Sequence, residues 1–489
     1  MAKSYEVLMG AAGRSVFFRP ERQRVRELLS RDARPQLLVD GVHFPLFDIS
    51  MNGVSFLADA DSEMRKVGEE IGLTLVLHDE VVYQGRARVA RAETEFGQSI
   101  RIGLGLTTGF LDLPEFRRRD DQKQLEKDLL EGPEVRFRLV PERYKVEMAK
   151  ITHFLKFYKK SLDYHESRYR LDRPGDSGVT ALAEQTLEAI RDRWWEMQVS
   201  ASRAALEVLE NRDVLRATKE FTETVVTPLV LESPLGRRAY TKPYGYPGDF
   251  QTMLYYYDNQ FEGDTAFGKL IHKFFVNDYP LGAGVRSRMD LIVHLMEAEH
   301  ARTQSRDSNV FRVVNLACGP AREISQFIER IGRWSGGISW TLIDQEEEAL
   351  SIAYQESRSK LAVLESRGRL SLLNLSFGQM LSDGLPLRES GPQDFIFSTG
   401  LFDYVSAVKA KSLVSHLFDL LAPGGLLAVG NAVAPNDVFW ATEFLVDWTL
   451  LFRTRTEMAD LATLLPENAE VSVVAEPLGA YHFLLIRKH

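Results

Sequence analysis

The sequence predicts a multidomain α/β + β protein: a small N-terminal β-barrel, a central helical region and a C-terminal doubly wound parallel sheet. Three patterns carry this. From about Pro35 to Asp112 the chain runs in short alternating stretches, among them FPLFDIS, GVSFLAD, IGLTLVLHD and SIRIGLGL, punctuated by Gly, Asp and Asn. Period-2 alternation between turn residues marks half-buried strands that close into a barrel or sandwich. Between about Leu139 and Arg238 apolar residues recur at three- and four-residue steps, as in VTALAEQTLEAIRDRWWEMQVSASRAALEVLENRDVL, the mark of amphipathic helices. From about Asn309 onward strand and helix patterns alternate through FRVVNLA, AREISQFIER, ISWTLID, EEEALSIAYQES, RLSLLNLS, DFIFST and GGLLAVGN. That alternation predicts parallel βαβ units.

With 489 residues the chain exceeds one ordinary core. The expected division is 1–118 for the barrel, 119–238 for a helical linker or cap domain, and 239–489 for the doubly wound domain, whose segment 239–300 forms a lid. The charged run EFRRRDDQKQLEKDLLEGPEV is placed as a linker, and LDRPGDSG as a break at which Asp176 or Ser177 caps the following helix. A formal charge of −9 argues against a nucleic-acid polymer as partner, because phosphate neutralisation requires a basic surface. The single cysteine excludes an intramolecular disulfide. No signal-peptide core or membrane-length apolar run is present, so a cytoplasmic location is expected. The central helices offer a candidate homodimer surface.

The run VVNLACGPAREI, Val313 to Ile324, contains that cysteine. RVVNLA reads as a buried strand, and AREISQFIER as a helix that starts directly after Pro320. Ala317 to Ala321 then form a tight loop at the carboxyl end of a parallel strand, where such sheets bind ligands. A dinucleotide loop requires G-x-G-x-x-G so that backbone can approach a pyrophosphate. Here Gly319 is the one loop glycine, which disfavours a nicotinamide oxidoreductase. S-adenosylmethionine has no phosphate, and small residues with one flexible position suffice beneath it: Ala317, Cys318, Gly319 and Ala321. The next strand pattern, WTLID, ends in Asp344, a carboxylate placed to accept both hydrogen bonds of a ribose diol. Asn374 and Ser376 are expected near the adenine. Phe397 to Tyr404, with Thr399 and Gly400, line the place where the methyl group leaves. No histidine is patterned to activate Cys318, so its thiol reads as a spacer. His272, His416 and His482 show no metal spacing and no metal is expected; His482, beside Tyr481, is the one histidine that could reach the site.

This order of elements resembles the class I S-adenosylmethionine-dependent methyltransferases, with their Rossmann-like sheet. More narrowly, KPYGYPGDF (Lys242 to Phe250), VRSRMDLI (Val285 to Ile292), NLACGPAREI, STGLFDYV and DWTLLFRTRTEM (Asp447 to Met458) resemble a bacterial methyltransferase family assigned to biosynthesis of 3-hydroxypalmitic acid methyl ester, an extracellular signalling lipid. The resemblance covers about the last half of the chain. It implies a lipid-like acceptor whose carboxyl becomes a methyl ester.

A carboxylate acceptor is ionised at neutral pH and needs no general base; cations would position it, with Arg286 and Arg288 as candidates. Their alternative is a solvated helix face. The composition of KPYGYPGDF demands a fixed turn: either a lid with Tyr246 and Asp249 facing the ligand, or an ordinary turn packed by tyrosines. Tyr404 completes the expected catalytic set. MLYYYDNQF and HKFFV read as an acyl pocket or as plain core.

In the first region, RQRVR (Arg22 to Arg26) lies ahead of DISMNG. This resembles PilZ domains, whose signals R-x-x-x-R and [D/N]-x-S-x-x-G are matched by Arg22 with Arg26 and by Asp48, Ser50 and Gly53. The resemblance implies cyclic di-GMP as a regulatory ligand, with arginines pairing to phosphates and stacking on guanines. The competing reading of the whole chain is a cyclic di-GMP receptor with a non-catalytic methyltransferase-like domain.

Overall fold

A computed structural model describes residues 23–30, 33–59, 66–94, 99–172, 176–304, 310–332, 337–361, 368–375, 379, 391–434, 437–467 and 469–489. Arg22 and Ser376 lie outside the described residues, as does the side chain of Arg26. The chain divides into two units, Met1–Arg136 and Phe137–His489.

The first unit holds strands β1 (Gln23–Arg24), β2 (Gln36–Val39), β3 (Val42–Ser50), β4 (Gly53–Asp59), β5 (Glu70–Leu77), β6 (Glu80–Thr94) and β7 (Ser99–Leu106). They pair in the order β1-β3-β2-β5-β6-β7-β4, and a further β3–β4 pairing closes β2 to β7 into an antiparallel barrel. Closure leaves no edge among those strands. Alternation fills the interior: Ile71, Leu73, Leu75 and Leu77 of β5 are all buried, and Leu37, Val54, Phe56 and Leu104 join them from other strands. Two of the three two-residue hairpins have left-handed central residues, Asp40 with Gly41 and His78 with Asp79, the backbone that such turns favour. The charged run after β7 forms the helix Leu113–Arg136, broken by non-helical backbone at Gly132. Its helical spacing is thus realised, and its Asp120 is buried and bonds His78 Nε2 at 2.7 Å.

The second unit is built on β8 (Val310–Leu316), β9 (Gly337–Asp344), β10 (Gly368–Asn374), β11 (Gln393–Ser398), β12 (Leu421–Ala432), β13 (Glu470–Ala475) and β14 (Tyr481–Arg487). The sheet order is β10-β9-β8-β11-β12-β14-β13. Strands β8 to β12 are parallel, whereas β14 runs antiparallel to both of its neighbours. The order in which strands are added reverses between β8 and β11, the switch point at which open α/β sheets bind ligands. Successive residues of the central strands serve opposite faces: Phe395, Phe397, Leu426 and Ala428 join one core, and Ile396, Leu427 and Val429 the other. Burial on both faces explains the near-continuous apolar runs.

The helices before β8 pack on the first of these cores, so the helical region is no separate domain. Tyr144 and Ile151 from helix Glu142–Asp172, and Trp194 from helix Asp176–Leu206, share that core with Trp340, Phe397 and Phe483. Trp440 Nε1 donates to Tyr144 Oη at 2.6 Å, and Thr227 Oγ1 to the Leu445 carbonyl at 2.8 Å. The expected boundaries at 118 and 238 thus differ from the compact units, because amphipathic helices show that a face is buried without showing against what. Among the described residues no helix is long and apolar enough to cross a membrane.

Helix Pro280–Gln304 is tied to the last strand by a buried carboxylate: Glu299 accepts from both Arg487 nitrogens, at 2.7 and 2.8 Å. Removing one partner of such a pair costs about 3–5 kcal/mol. Glu299→Ala is therefore expected to lower the unfolding free energy of this unit by about that amount. Tryptophan fluorescence reports it, since all six tryptophans lie in the second unit. Glu297→Ala, which loses only an exposed 3.8 Å pair with Arg330, should cost about 0.5 kcal/mol or less.

Candidate functional site

The loop after β8 is held from beneath by β9. Cys318 N donates to the Ile343 carbonyl at 3.0 Å, and Gly319 N to Asp344 Oδ2 at 2.8 Å. Ala317, Gly319 and Ala321 all adopt left-handed backbone, with φ of 55°, 52° and 50°. For the two alanines this conformation costs roughly 1–2 kcal/mol each, so the alternation folds only because neighbouring bonds impose it. A Cβ on Gly319 would meet nothing within 4 Å, so the loop faces open space at its one glycine. The helix starts at Arg322, later than expected: Ala321 N bonds back to the Cys318 carbonyl at 3.1 Å, and Pro320 falls inside that turn.

Asp344 is the junction of the site. Its Oδ1 accepts from Glu346 N at 3.0 Å, and its carbonyl accepts from Leu375 N at 3.0 Å. The carboxyl is 6% exposed; burial raises its pKa, and the backbone amides oppose the rise. The Gln345 amide also acts on this carboxylate, and with about four lone-pair sites on its two oxygens an acceptor position stays available for a diol. Asn374 lies close by, but its Nδ2 donates to the carbonyls of Asp344 and Gln345, at 3.3 and 2.9 Å, bracing the strand ends. Cys318 is buried, its thiol donates only to the Gly319 carbonyl at 3.4 Å, and burial pushes its pKa well above the ordinary thiol value. That environment is wrong for a thiolate nucleophile.

Residues 242–249 form the fixed turn expected of KPYGYPGDF. Tyr246 lies against Tyr404, ring centroids 6.2 Å apart, and its hydroxyl pKa is raised by burial and by the nearby Asp344 charge. Gly248 has no room for a side chain: a Cβ would stand 2.6 Å from Tyr404 Oη and 3.1 Å from the Trp448 ring. Trp448 Nε1 donates to Tyr404 Oη at 3.1 Å, and Lys242 Nζ reaches Asp447 Oδ2 at 2.6 Å, so the turn is fastened to the 447–448 segment. Asp249 is held by protein groups. It is fully buried, caps helix Phe250–Asp258 through Thr252 N at 3.0 Å, and receives Arg238 Nε at 2.7 and 2.8 Å.

The two candidate arginines separate. Arg286 spends its Nη1 on the carbonyls of Tyr256 and Val276, at 2.8 and 3.1 Å, which makes it a brace between helices. Arg288 is 4% exposed at the carboxyl end of β11: Nη1 donates to the Thr399 carbonyl at 2.9 Å, Nη2 approaches Met253 Sδ at 3.6 Å, and the guanidinium lies 4.5 Å from the Tyr481 ring centre. Its Nε has no hydrogen-bond partner, and among the described residues it makes no ion pair. Gly400 lies against it, 3.4 Å from Nη2 for an added Cβ. Near the guanidinium are Asp403, whose Oδ1 accepts from Ala432 N at 2.7 Å, and Glu323, whose Oε1 accepts from Tyr257 Oη at 3.3 Å. His482 turns elsewhere, its Nδ1 3.4 Å from the Arg453 carbonyl. Tyr256 and the phenylalanines of HKFFV belong to the core.

Residues 245–341 match a family described as "Putative methyltransferase". That span contains the turn, the Arg288 helix, β8, the loop and most of β9. Over this stretch the chain is similar to a methyltransferase domain. No curated protein matches it. Among solved structures, a Bordetella parapertussis protein described as a possible exported protein is similar at 16% identity and TM-score 0.40, covering 60% of this chain and 95% of that chain. Magnesium protoporphyrin IX methyltransferase of Synechocystis, with bound S-adenosylmethionine, gives 12%, 0.33, 52% and 95%. An N-methyltransferase of Bradyrhizobium japonicum with S-adenosylhomocysteine gives 14%, 0.29, 44% and 91%. Among the described residues no cluster of His, Cys, Asp or Glu could hold a metal.

Sequence reasoning missed Arg238, Glu323 and Trp448, and named Asp403 only within the stretch Phe397 to Tyr404 without giving it a role of its own. Glu323 looks in sequence like any acid in the first turn of a helix.

Two outcomes follow for this site. Asp344→Ala should abolish binding of labelled S-adenosylmethionine, whereas Cys318→Ala should retain most of it, as equilibrium dialysis would show. Burial raises the Asp403 pKa from 3.8 to about 6, with Arg288 and Arg453 opposing the rise. A carboxyl raised on folding favours the native state at low pH, and that contribution is lost as pH climbs through this window. Asp403→Asn, which keeps an acceptor for Ala432 N, should match wild-type stability near pH 4 and exceed it above pH 6 in thermal unfolding.

Proposed function

We propose that the protein transfers a methyl group from S-adenosylmethionine to the carboxylate of a fatty-acid-like acceptor, giving a methyl ester. The carrying observation is Arg288: a buried guanidinium with an unfilled N–H and, among the described residues, no carboxylate within ion-pair distance is costly unless an anion joins it. When bound, the donor supplies an electrophilic methyl on a sulfonium cation. The open face of the 317–321 loop and the spare acceptor position of Asp344 fit its nucleoside, with Thr399 and Gly400 alongside.

The chain's own part is orientation and exclusion of water. Arg288 holds the acceptor carboxylate beside the end of β11. Tyr246, Tyr404 and Trp448 form an aromatic wall that keeps water from the reacting atoms. The acceptor loses charge as the ester forms, so alignment and dryness carry the rate and no base is required. Arg286 and Asp249 act at one remove, through the helices they brace.

The first unit fits a PilZ-like regulatory barrel. In support, β1 pairs with β3 so that Arg24 stands opposite Asp48, which brings the arginine segment beside the DISMNG turn. Ser50 Oγ donates to the Gly53 carbonyl at 3.2 Å, which shapes that turn. Asp48 departs from a base-reading role, since it is buried against Arg101. This pairing is the one observation that favours the second reading, a cyclic di-GMP receptor without catalysis.

Full-length protein with labelled S-adenosylmethionine and 3-hydroxy fatty acids is expected to yield labelled methyl esters. Arg288→Gln should lower kcat/KM for the acid by about tenfold to a hundredfold, the loss of one charged hydrogen bond. Calorimetric binding of cyclic di-GMP with no binding of S-adenosylmethionine would favour the receptor instead.

A further inference from the structure

Glu323 is the second residue of helix Arg322–Ile331, and acids there are ordinarily exposed partners of the helix dipole. This one is 2% exposed. Its Oε1 accepts one long bond from Tyr257 Oη at 3.3 Å, and its Oε2 has no hydrogen-bond partner. Arg288 is the neighbouring cation, yet among the described residues the two make no ion pair, so each presents an unfilled polar atom. A buried carboxyl in that condition calls for a donor from elsewhere. Burial also raises its pKa, and an adjoining cation would draw it back to the ionised form.

The position decides what that cation is. Two buried carboxyls flank the 317–321 loop: Asp344 bonds Gly319 N from the β9 side, and Glu323 stands in the first turn of the helix that leaves the loop. Both act electrostatically on Cys318 between them. S-adenosylmethionine carries its ribose diol on one side of the sulfonium and an α-amino acid on the other. With the diol on Asp344 and the donor crossing the open face of Gly319, the amino-acid end approaches the start of the helix. We infer that Glu323 is the acceptor for the α-ammonium of the methyl donor and fixes which way the donor lies across the loop. Arg288 is left for the acid acceptor, so the two unfilled groups serve different substrates. The inference rests on the donor reading given above.

Calorimetry on the full-length protein tests it without turnover, using S-adenosylhomocysteine, its deaminated analogue and 5′-methylthioadenosine, which lacks the amino-acid end. Wild type should bind S-adenosylhomocysteine about tenfold to a hundredfold more tightly than the deaminated analogue. Glu323→Gln should erase that preference and leave 5′-methylthioadenosine affinity unchanged. Wild type that ignores the ammonium overturns the assignment even if the variant cannot be purified. So does a variant that binds S-adenosylhomocysteine normally, or one that weakens all three ligands equally. Wild type that binds none of the three overturns the donor reading itself.

Discussion

Asp344 accepts the Gly319 amide on one oxygen and the Glu346 amide on the other, while its carbonyl takes the Leu375 amide. Through these bonds one residue sets the height of the loop after β8, the start of the next helical segment and the exit of β10. The left-handed alanines on either side of Gly319 persist because this network over-determines the path between them. A glycine-rich loop reaches a similar shape by freedom; this one reaches it by restraint.

Charge is concentrated in the dry part of the molecule. Arg288, Asp403, Glu323 and Arg453 are all buried, and the last donates to the carbonyls of Phe402 and Val405 and to Asn431. Replacing such groups with packed hydrophobics would often stabilise a fold, so their presence points to a role in binding. Arg453 is fully engaged and holds the turn after β11 in place. Arg288 and Glu323 are incompletely engaged. The difference between a satisfied buried charge and an unsatisfied one separates scaffold from site here.

Much of the second unit was legible because each central strand is buried on both faces and reads as an unbroken apolar run, and because Asp344 ends the strand after the loop. The barrel was legible for the opposite reason, its strict alternation in and out. Three things were not. Amphipathic helices between residues 142 and 225 do not state which core they join. Arg286 and Arg288 are two residues apart on one helix and so point about 200° from each other; sequence offers both, and geometry allows one to reach β11. An acid ahead of a helix, such as Asp249, has one appearance whether it caps or catalyses, and only the guanidinium of Arg238 against it decides.

Strand β14 lies between β12 and β13, antiparallel to both. Strand β13 therefore reaches the sheet only through β14, and the two can enter it together as one antiparallel hairpin. Tyr481, whose ring carries the Arg288 guanidinium, begins the inner strand of that hairpin. The ring that covers the buried cation thus belongs to the closing hairpin of the sheet, far along the chain from the helix that supplies the cation.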